Sequence, residues 1–221
     1  DAVREAGASE VVTVVPYMGY ARQDQSFETG QPVSARAMAR AISTGTDRVV
    51  LVNPHEDAVA DFFECHVTVC DAADRLAAPL PEGLGDPLFL SPDAGAVELA
   101  EAVRDAYGGG DVDFFEKTRH SGTEVEISPS DTDAAGRDVV LVDDIIATGS
   151  TMSEAVAHIA DDGADRVFAA CVHPLLAGNA RVKLEHAGID RIVGTDTVEG
   201  DVSRVSVAPI VAAAVEAVEV A

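Results

Sequence analysis

Short runs of β-branched and other apolar residues alternate with alanine-rich amphipathic stretches along most of the chain. Eight of the runs have the length and composition of buried strands: 10–15, 48–53, 66–70, 87–90, 112–116, 138–142, 166–172 and 191–194. Six of the intervening stretches predict helices: 32–43, 58–63, 94–107, 150–162, 178–186 and 209–218. Apolar strands that alternate with helices are typical of parallel sheets covered on both faces. The sequence therefore predicts an α/β fold with mainly parallel sheets.

The composition changes at residues 71–86, where Ala, Pro and Gly cluster. Such a stretch is typical of a connection, so we predict two α/β domains, residues 1–73 and 74–221. The strand-and-loop pattern VVTVVPYMGYARQD in the first is similar to DVVLVDDIIATGST in the second. The opening segment DAVREAGASE has the composition of the end of a helix. We therefore expect the first domain to be incomplete at its N-terminus.

Acidic residues far outnumber basic ones, 39 against 15, and the net charge is −24. The acids are spread along the chain, which keeps 47% hydrophobic residues for a core. At molar salt the Debye length falls to about 3 Å, so the mutual repulsion of such a surface is screened. We therefore expect a halophilic protein rather than one whose acidity serves solubility alone. A nucleic-acid partner would need a basic face, and this composition excludes that class.

Cysteine usage and hydropathy indicate the compartment. The three cysteines, Cys65, Cys70 and Cys171, are an odd number without a CxxC pair, which argues against a disulfide framework. No run approaches the roughly 20 apolar residues that a membrane span needs. We expect a cytoplasmic protein without a membrane partner.

The segment VVLVDDIIATGST, residues 139–151, carries the most specific pattern. A buried strand is expected to end in two acids, and the turn after it is expected to open a helix. Backbone N–H groups at a helix N-terminus bind anions, and carboxylates accept hydrogen bonds from a vicinal diol. DD or TGS alone would fit an ordinary capped helix, but the whole segment resembles the ribose-phosphate-binding signature of the phosphoribosyltransferase fold. The resemblance implies that these residues bind ribose 5-phosphate: Asp143, Asp144, Ala147, Thr148, Gly149, Ser150 and Thr151.

A second segment, PYMGYARQD at residues 16–24, follows the first predicted strand. Its guanidinium and amide groups suit a triphosphate or a purine edge, although the segment alone would also fit a surface loop. Together with the PVSARAMA that follows, it is very similar to the ATP-binding stretch of ribose-phosphate diphosphokinases. By this resemblance, which extends from Ala8 to Val215, the chain is identified as a member of that family. The resemblance implies that ATP is bound by Arg22, Gln23 and Asp24.

Further segments match the family in the expected order. His55 follows the predicted strand VVLVNP, and Asp93 lies in LSPDAG before a predicted helix. The resemblance implies that both residues hold Mg²⁺. FFEKTRHSG contains Lys117 and Arg119, which the resemblance places on a catalytic flap as cations for the transition state, with Arg119 also at ribose 5-phosphate. A lone histidine or a loop lysine is usually structural or solvated, so only the family pattern favours these functions.

Two positions depart from the family pattern DD-x-x-D-TGGT. Ala147 stands where many members have a third acid, and Ser150 replaces a glycine. We therefore expect the third carboxylate to be dispensable in this chain, or the activity to be impaired.

The resemblance also implies two doubly wound domains of the phosphoribosyltransferase type, with ligands at the carboxyl ends of the strands. The implied reaction transfers diphosphate from ATP to the C1 hydroxyl of ribose 5-phosphate, with Mg²⁺ as cofactor, in a homo-oligomer that is a dimer or higher. Two alternatives stay open. A phosphoribosyltransferase that glycosylates a base would keep residues 139–151 but needs neither Arg22-Gln23 nor His55. A non-catalytic regulatory homologue would bind nucleotide without turnover.

Overall fold

The computed structural model describes residues 1–119, 125–129 and 133–217, with side chains described outside 116–119 and 125–129. The chain forms two compact units, one of residues 1–72 with the segment from Val207 onward, the other of residues 73–206. The predicted division after residue 73 had left the C-terminal segment in the second domain. The structure groups that segment with the first unit instead, because its helix packs on the sheet of that unit.

The first unit contains a three-stranded parallel sheet. Its elements are α1 (Ala2–Glu5), β1 (Val12–Val15), α2 (Ser34–Ser43), β2 (Arg48–Val52), a 3₁₀ helix (Asp57–Phe62) and β3 (His66–Cys70). The strand order is β1-β2-β3, and the central strand β2 is buried from Val49 to Val52, which explains its unbroken apolar sequence. In α2, Ala35 and Ala39 are four residues apart and pack with Val49 and Leu51 in the core of this unit.

The second unit contains a seven-stranded sheet. Its elements are a 3₁₀ helix (Ala73–Ala77), β4 (Leu88–Ser91), a 3₁₀ helix (Ala94–Ala96), α3 (Val97–Tyr107), β5 (Asp111–Arg119), β6 (Val125–Pro129), β7 (Asp138–Ile145), α4 (Ser150–Asp161), β8 (Arg166–His173), α5 (Ala180–Ala187), β9 (Arg191–Thr195), a 3₁₀ helix (Asp196–Val198) and β10 (Ser203–Val205). The strand order is β10-β9-β8-β7-β4-β5-β6. Neighbouring strands are parallel except for β5 and β6, which form an antiparallel pair.

The last helix, α6 (Ala208–Glu216), contacts β2 and β3 of the first unit. The thiol of Cys70 donates a hydrogen bond to the carbonyl of Ile210 over 3.8 Å. These contacts explain why the C-terminal segment belongs with the first unit. The sequence of α6 is almost uniformly apolar, so its composition cannot indicate which sheet it covers.

The prediction of an α/β fold with mainly parallel sheets is confirmed. All eight predicted strands are present within a few residues of their predicted bounds, whereas β6 and β10 at the two edges of the larger sheet were missed. The predicted helix 58–63 and the first turn of the predicted helix 94–107 are 3₁₀ rather than α. Across the described part of the chain, no helix has the length and apolarity to cross a bilayer.

Candidate active site

The two adjacent acids of the predicted ribose-phosphate segment lie near the carboxyl end of β7. The residues before them, Val139–Val142, are fully buried in the sheet, while Asp143 and Asp144 are only partly covered. The backbone N–H of Asp144 donates to Oδ1 of Asp143 over 2.9 Å. The strand therefore presents both carboxylates at one edge of the second sheet.

Asp93 joins these acids from the neighbouring strand. It lies two residues beyond the end of β4, which is parallel to β7, and the carboxyl ends of parallel neighbours meet at the same sheet edge. Its Oδ1 accepts a hydrogen bond from Gly95 N over 3.0 Å and so caps the 3₁₀ helix that follows. The structure thus brings one predicted Mg²⁺ ligand to the predicted diol-binding pair.

The three carboxylates repel one another. Burial raises the pKa of Asp143 well above its usual range, and the charge of Asp144, their side-chain hydrogen bond and the charge of Asp93 raise it further. Concentrated carboxylate oxygens are the hard ligands that Mg²⁺ prefers. Within the described ranges, however, no three His, Cys, Asp or Glu side chains form a ready-made metal site. A cation at this edge would therefore need substrate oxygens or water as further ligands.

A buried thiol supports the backbone that follows the acids. Cys171 on β8 accepts a hydrogen bond from Ile146 N over 3.1 Å and donates one to the carbonyl of Asp144 over 3.4 Å. Burial raises the pKa of Cys171 well above that of an ordinary thiol, and the charge of Asp143 adds to the shift. Cys171 therefore stays neutral and keeps the proton that it donates.

The turn between β7 and α4 contains a glycine in close contact with α5. Gly149 is the N-cap of α4 with φ 71°, and Ser150 is the first helical residue. A Cβ atom on Gly149 would lie 3.1 Å from Cβ of Ala180, the first residue of α5. Both the left-handed backbone and the close approach of α5 favour glycine here. The first N–H groups of a helix have no intrahelical acceptor, so the turn has the donors of an anion site.

The segment after β8 is bonded to this turn. Leu176 N donates to the carbonyl of Ile146 and Ala177 N to that of Ala147, each over 2.9 Å. His173, which is fully buried, accepts from Ile146 N at its carbonyl over 3.2 Å. The backbone of residues 146–147 is therefore fixed by β8 and the segment after it, although Ala147 itself contributes no polar side chain.

Lys183 was not among the predicted site residues. From the first turn of α5, its Nζ donates to the carbonyl of Thr148 over 3.3 Å and to Oγ of Ser150 over 3.0 Å. Thr148, Ser150 and Thr151 are exposed around it. Its one signal in the sequence is rarity, because Lys117 and Lys183 are the two lysines of the chain.

The predicted ATP-binding residues lie in the loop after β1 of the first unit. Met18 and Ala21, each 2% exposed, anchor this loop in the core, while Arg22 is exposed. The carbonyl of Gln23 accepts from Ala35 N over 3.2 Å, which ties the loop to the start of α2. That helix begins at Ser34 rather than at the predicted residue 32. Asp24 follows as a half-buried residue.

His55 lies in a strained turn beyond β2. Its backbone has φ 72°, and its N–H donates to the carbonyl of Asn53 over 2.8 Å. The Asn53 side chain donates to Oδ1 of Asp71 over 2.8 Å and accepts from Ala72 N over 2.9 Å, so the turn is fixed. Because β1 and β2 are parallel neighbours, His55 and the loop after β1 share one edge of the first sheet. Asp93, the other predicted Mg²⁺ ligand, belongs to the second unit.

Lys117 and Arg119 lie on β5 beyond the end of β4. The last residue of β4, Ser91, pairs with Phe114, whereas Lys117 and Arg119 pair with β6. Their backbone thus continues past the carboxyl edge at which Asp143 lies. Their side chains are outside the described part of the structure, so their predicted function stays a prediction.

Two protein-family models and several relatives match this chain. A family described as the N-terminal domain of ribose phosphate pyrophosphokinase matches residues 1–45, and the phosphoribosyl transferase domain family matches residues 66–208. The chain is 63% identical over 212 residues to a ribose-phosphate pyrophosphokinase of Halobacterium salinarum, covering 96% of this chain and 75% of that protein. It is 47% identical to one of Methanopyrus kandleri, covering 98% and 75%. The crystal structure of phosphoribosylpyrophosphate synthetase from Mycobacterium smegmatis superimposes with a TM-score of 0.84 at 32% identity, covering 98% of this chain and 74% of that one.

Proposed function

The chain belongs to the ribose-phosphate pyrophosphokinase family, and we infer that it transfers the diphosphoryl group of ATP to the C1 hydroxyl of ribose 5-phosphate. The 63% identity to a named pyrophosphokinase over 96% of the chain carries this inference. The geometry fits it, because the candidate residues of each unit lie at or beyond the carboxyl ends of the parallel strands of its own sheet.

The second unit supplies the acceptor site in this proposal. Asp143 and Asp144 accept hydrogen bonds from the ribose hydroxyls, since two carboxylates are good acceptors for a vicinal diol. The first-turn N–H groups of α4 and the hydroxyls of Thr148, Ser150 and Thr151 donate to the 5-phosphate. The sugar is thereby oriented by its two ends.

The first unit supplies the donor site, with Arg22, Gln23 and Asp24 at the nucleotide. The oxygen of the C1 hydroxyl attacks the β-phosphorus, the bond from that phosphorus to the α,β-bridging oxygen breaks, and AMP leaves while the proton of the C1 hydroxyl passes to solvent. Such a transfer depends mainly on positioning and charge neutralisation. We assign charge neutralisation in the transition state to Lys117 and Arg119.

The acidic edge fits a Mg²⁺ ion, because Asp143, Asp144 and Asp93 lie close enough for the charges of Asp144 and Asp93 to raise the pKa of Asp143, and carboxylate oxygens are ligands that Mg²⁺ prefers. In our proposal Asp93 in the second unit and His55 in the first unit each serve as a Mg²⁺ ligand, and substrate oxygens supply further ligands. Bound Mg²⁺ would neutralise charge on the phosphate oxygens. That need is large in a chain of net charge −24 whose substrates are anions.

The test is to incubate the protein with ATP, Mg²⁺ and ribose 5-phosphate and to separate the nucleotides by chromatography. We expect AMP to form in step with the loss of ATP, without ADP, and only when ribose 5-phosphate is present. Unphosphorylated ribose is the control and should give little AMP. Absence of AMP, together with release of diphosphate from phosphoribosyl diphosphate and a base, would favour a base-glycosylating transferase instead. Nucleotide binding without any turnover would favour a regulatory homologue.

We further propose a cytoplasmic, halophilic protein that forms a homo-oligomer, a dimer or higher. Its three free cysteines suit a reducing compartment. Sedimentation velocity in molar KCl tests the oligomer, and a monomer at micromolar concentration would contradict it.

A further inference from the structure

We propose that the Lys183 ammonium binds the 5-phosphate and makes this acceptor site selective for phosphorylated ribose. The inference rests on the proposed function, since it concerns the same acceptor site. It is carried by the contacts of Nζ with the carbonyl of Thr148 at 3.3 Å and with Oγ of Ser150 at 3.0 Å. Both residues belong to the turn that holds the phosphate in the proposal above.

The position of Lys183 is electrostatically unfavourable for a purely structural cation. It lies in the first turn of α5, and Ala180 at the start of α5 lies against Gly149 at the start of α4. The N-terminal ends of helices carry partial positive charge, so a cation there is disfavoured and an anion is favoured. A phosphate between the two helix starts and the ammonium would remove this conflict.

The hydrogen bonds of Lys183 leave it able to bind an anion. An ammonium has three N–H donors, and two of them contact a carbonyl and a hydroxyl oxygen. Among the described residues, Lys183 pairs with no carboxylate. Its neighbour Arg181 does, because it bridges to Glu185 over 2.8 Å and also to Asp201. One cation of α5 is thus neutralised by acids, and the other faces the turn.

Ser150 supports the same assignment. Its hydroxyl accepts from Lys183 and can still donate its own proton to a phosphate oxygen. Serine stands where the family pattern has a glycine, so this contact is a property of the chain rather than of the pattern. Together the two side chains add a charged and a neutral donor to the backbone donors of the turn.

The test compares Lys183→Met, Lys183→Gln and Lys183→Arg with the wild type and with Arg181→Met, which removes an equal charge from the same helix. At fixed KCl and saturating MgATP, we expect Met and Gln to raise the KM for ribose 5-phosphate about 10- to 100-fold, the usual effect of losing a charge-assisted hydrogen bond. The kcat and the KM for ATP should stay nearly constant. Lys183→Arg should restore most of the affinity, and Arg181→Met should match the wild type.

A second readout uses inorganic phosphate as a competitor of ribose 5-phosphate. Its inhibition constant should rise in Lys183→Met by a factor similar to the KM, because phosphate alone probes the ammonium contact. If Lys183 only supported the Thr148 carbonyl, the amide of Lys183→Gln could donate there and restore the KM, which would overturn the proposal. An unchanged KM in Lys183→Met, or an equal change in Arg181→Met, would also overturn it.

Two controls keep the outcome unambiguous. Thermal unfolding by circular dichroism checks that each variant folds. If Lys183→Met does not fold, the Lys183→Arg and Lys183→Gln variants still distinguish phosphate binding by a positive charge from structural support of the Thr148 carbonyl. If the wild type forms no AMP, the proposed reaction fails. Calorimetric titration of ribose 5-phosphate and phosphate into the same variants then still decides the assignment of Lys183.

Discussion

Asp143 and Asp138 lie on the same strand, β7, yet the fold shifts their pKa values in opposite directions. Burial, together with the charges of Asp144 and Asp93, raises the pKa of Asp143. The hydrogen bond from Arg166, strengthened by one from Gly85 N, lowers the pKa of Asp138. The ionised form of the carboxyl group at the amino end of the strand is therefore stabilised by its partners, whereas that of Asp143 at the carboxyl end is disfavoured by burial and by neighbouring negative charge.

Replacing Asp143 by Asn should stabilise the free protein and weaken substrate binding. Because the pKa of Asp143 is higher in the folded than in the unfolded state, its contribution to stability is greatest below the unfolded pKa of about 3.9 and falls as pH rises through the folded value. At pH 7 without Mg²⁺, Asp143→Asn should thus raise the thermal midpoint, measured by circular dichroism. Calorimetry should show weaker binding of ribose 5-phosphate, because a neutral amide is a poorer acceptor for the diol.

Asp138→Asn is the matched control on the same strand. A lowered folded pKa means that the contribution of Asp138 is present above about pH 3.9 and lost as pH falls through the folded value. This variant should therefore lower the midpoint at pH 7. Equal shifts in both variants, or unchanged ribose 5-phosphate affinity in Asp143→Asn, would contradict our account of this edge.

Lys117→Ala should reduce turnover by about 100-fold or more, the usual loss when a transition-state donor is removed. The affinity for ribose 5-phosphate should remain nearly intact, because the contact is expected to form mainly in the transition state. Steady-state kinetics with calorimetric titration separates the two quantities. Normal turnover with weaker substrate binding would assign Lys117 to ground-state binding instead.

Contiguity in the sequence decides which of these residues could be predicted. Asp143 and Asp144 and the turn to Thr151 form one continuous motif, so their proximity follows from a strand, a turn and a helix start. Cys171 and Lys183 reach the same turn from β8 and α5. Their contacts depend on how later elements pack, and no local pattern in their own segments indicates this.

Among the secondary-structure elements, α4 offers a direct test because glycines with positive φ lie at both of its ends. Gly149 precedes it with φ 71°, and Gly163 follows it with φ 87°. Alanine at either position should destabilise the fold by roughly 1–2 kcal/mol, the cost of a left-handed L-residue. Only Gly149→Ala would also meet α5, at 3.1 Å from Cβ of Ala180, whereas at Gly163 the nearest atom is 4.0 Å away.

We therefore expect Gly149→Ala to weaken binding of ribose 5-phosphate more than Gly163→Ala at a comparable loss of thermal stability. Chemical denaturation and calorimetric titration of both variants measure the two effects. If the two variants bound ribose 5-phosphate equally well, the close contact between α4 and α5 would not position the phosphate turn.

The elements that were predicted correctly are those with a strong internal pattern. The buried strands β2 and β7 carry unbroken apolar runs, and α4 buries Met152, Ala155, Val156 and Ile159 at helical spacing. By contrast, the edge strands β6 and β10 have only five and three residues, and neither carries an unbroken apolar run like those of the buried strands. The position of α6 on the first unit likewise depends on tertiary packing, which its uniformly apolar sequence does not specify.

For the whole molecule, the net charge of −24 predicts a strong dependence on salt. Repulsion among dispersed acids acts over about 10 Å at 0.1 M salt but only about 3 Å at 1 M. The thermal midpoint, followed by circular dichroism, should climb steeply between low and molar KCl, and activity with MgATP should rise over the same range. A midpoint that does not change with KCl would refute the halophilic interpretation and leave the enzymatic one untouched.

The central claim is that a diphosphoryl group passes intact from ATP to ribose 5-phosphate. It is tested most directly by following two radiolabelled forms of ATP, one labelled at the γ-phosphorus and one at the α-phosphorus, in the presence of Mg²⁺ and molar KCl. Our account predicts that the γ label appears in phosphoribosyl diphosphate, with attack at the β-phosphorus, and that the α label remains entirely in AMP. Recovery of the γ label as free phosphate or diphosphate without a labelled sugar, or of the α label in the sugar product, would contradict it.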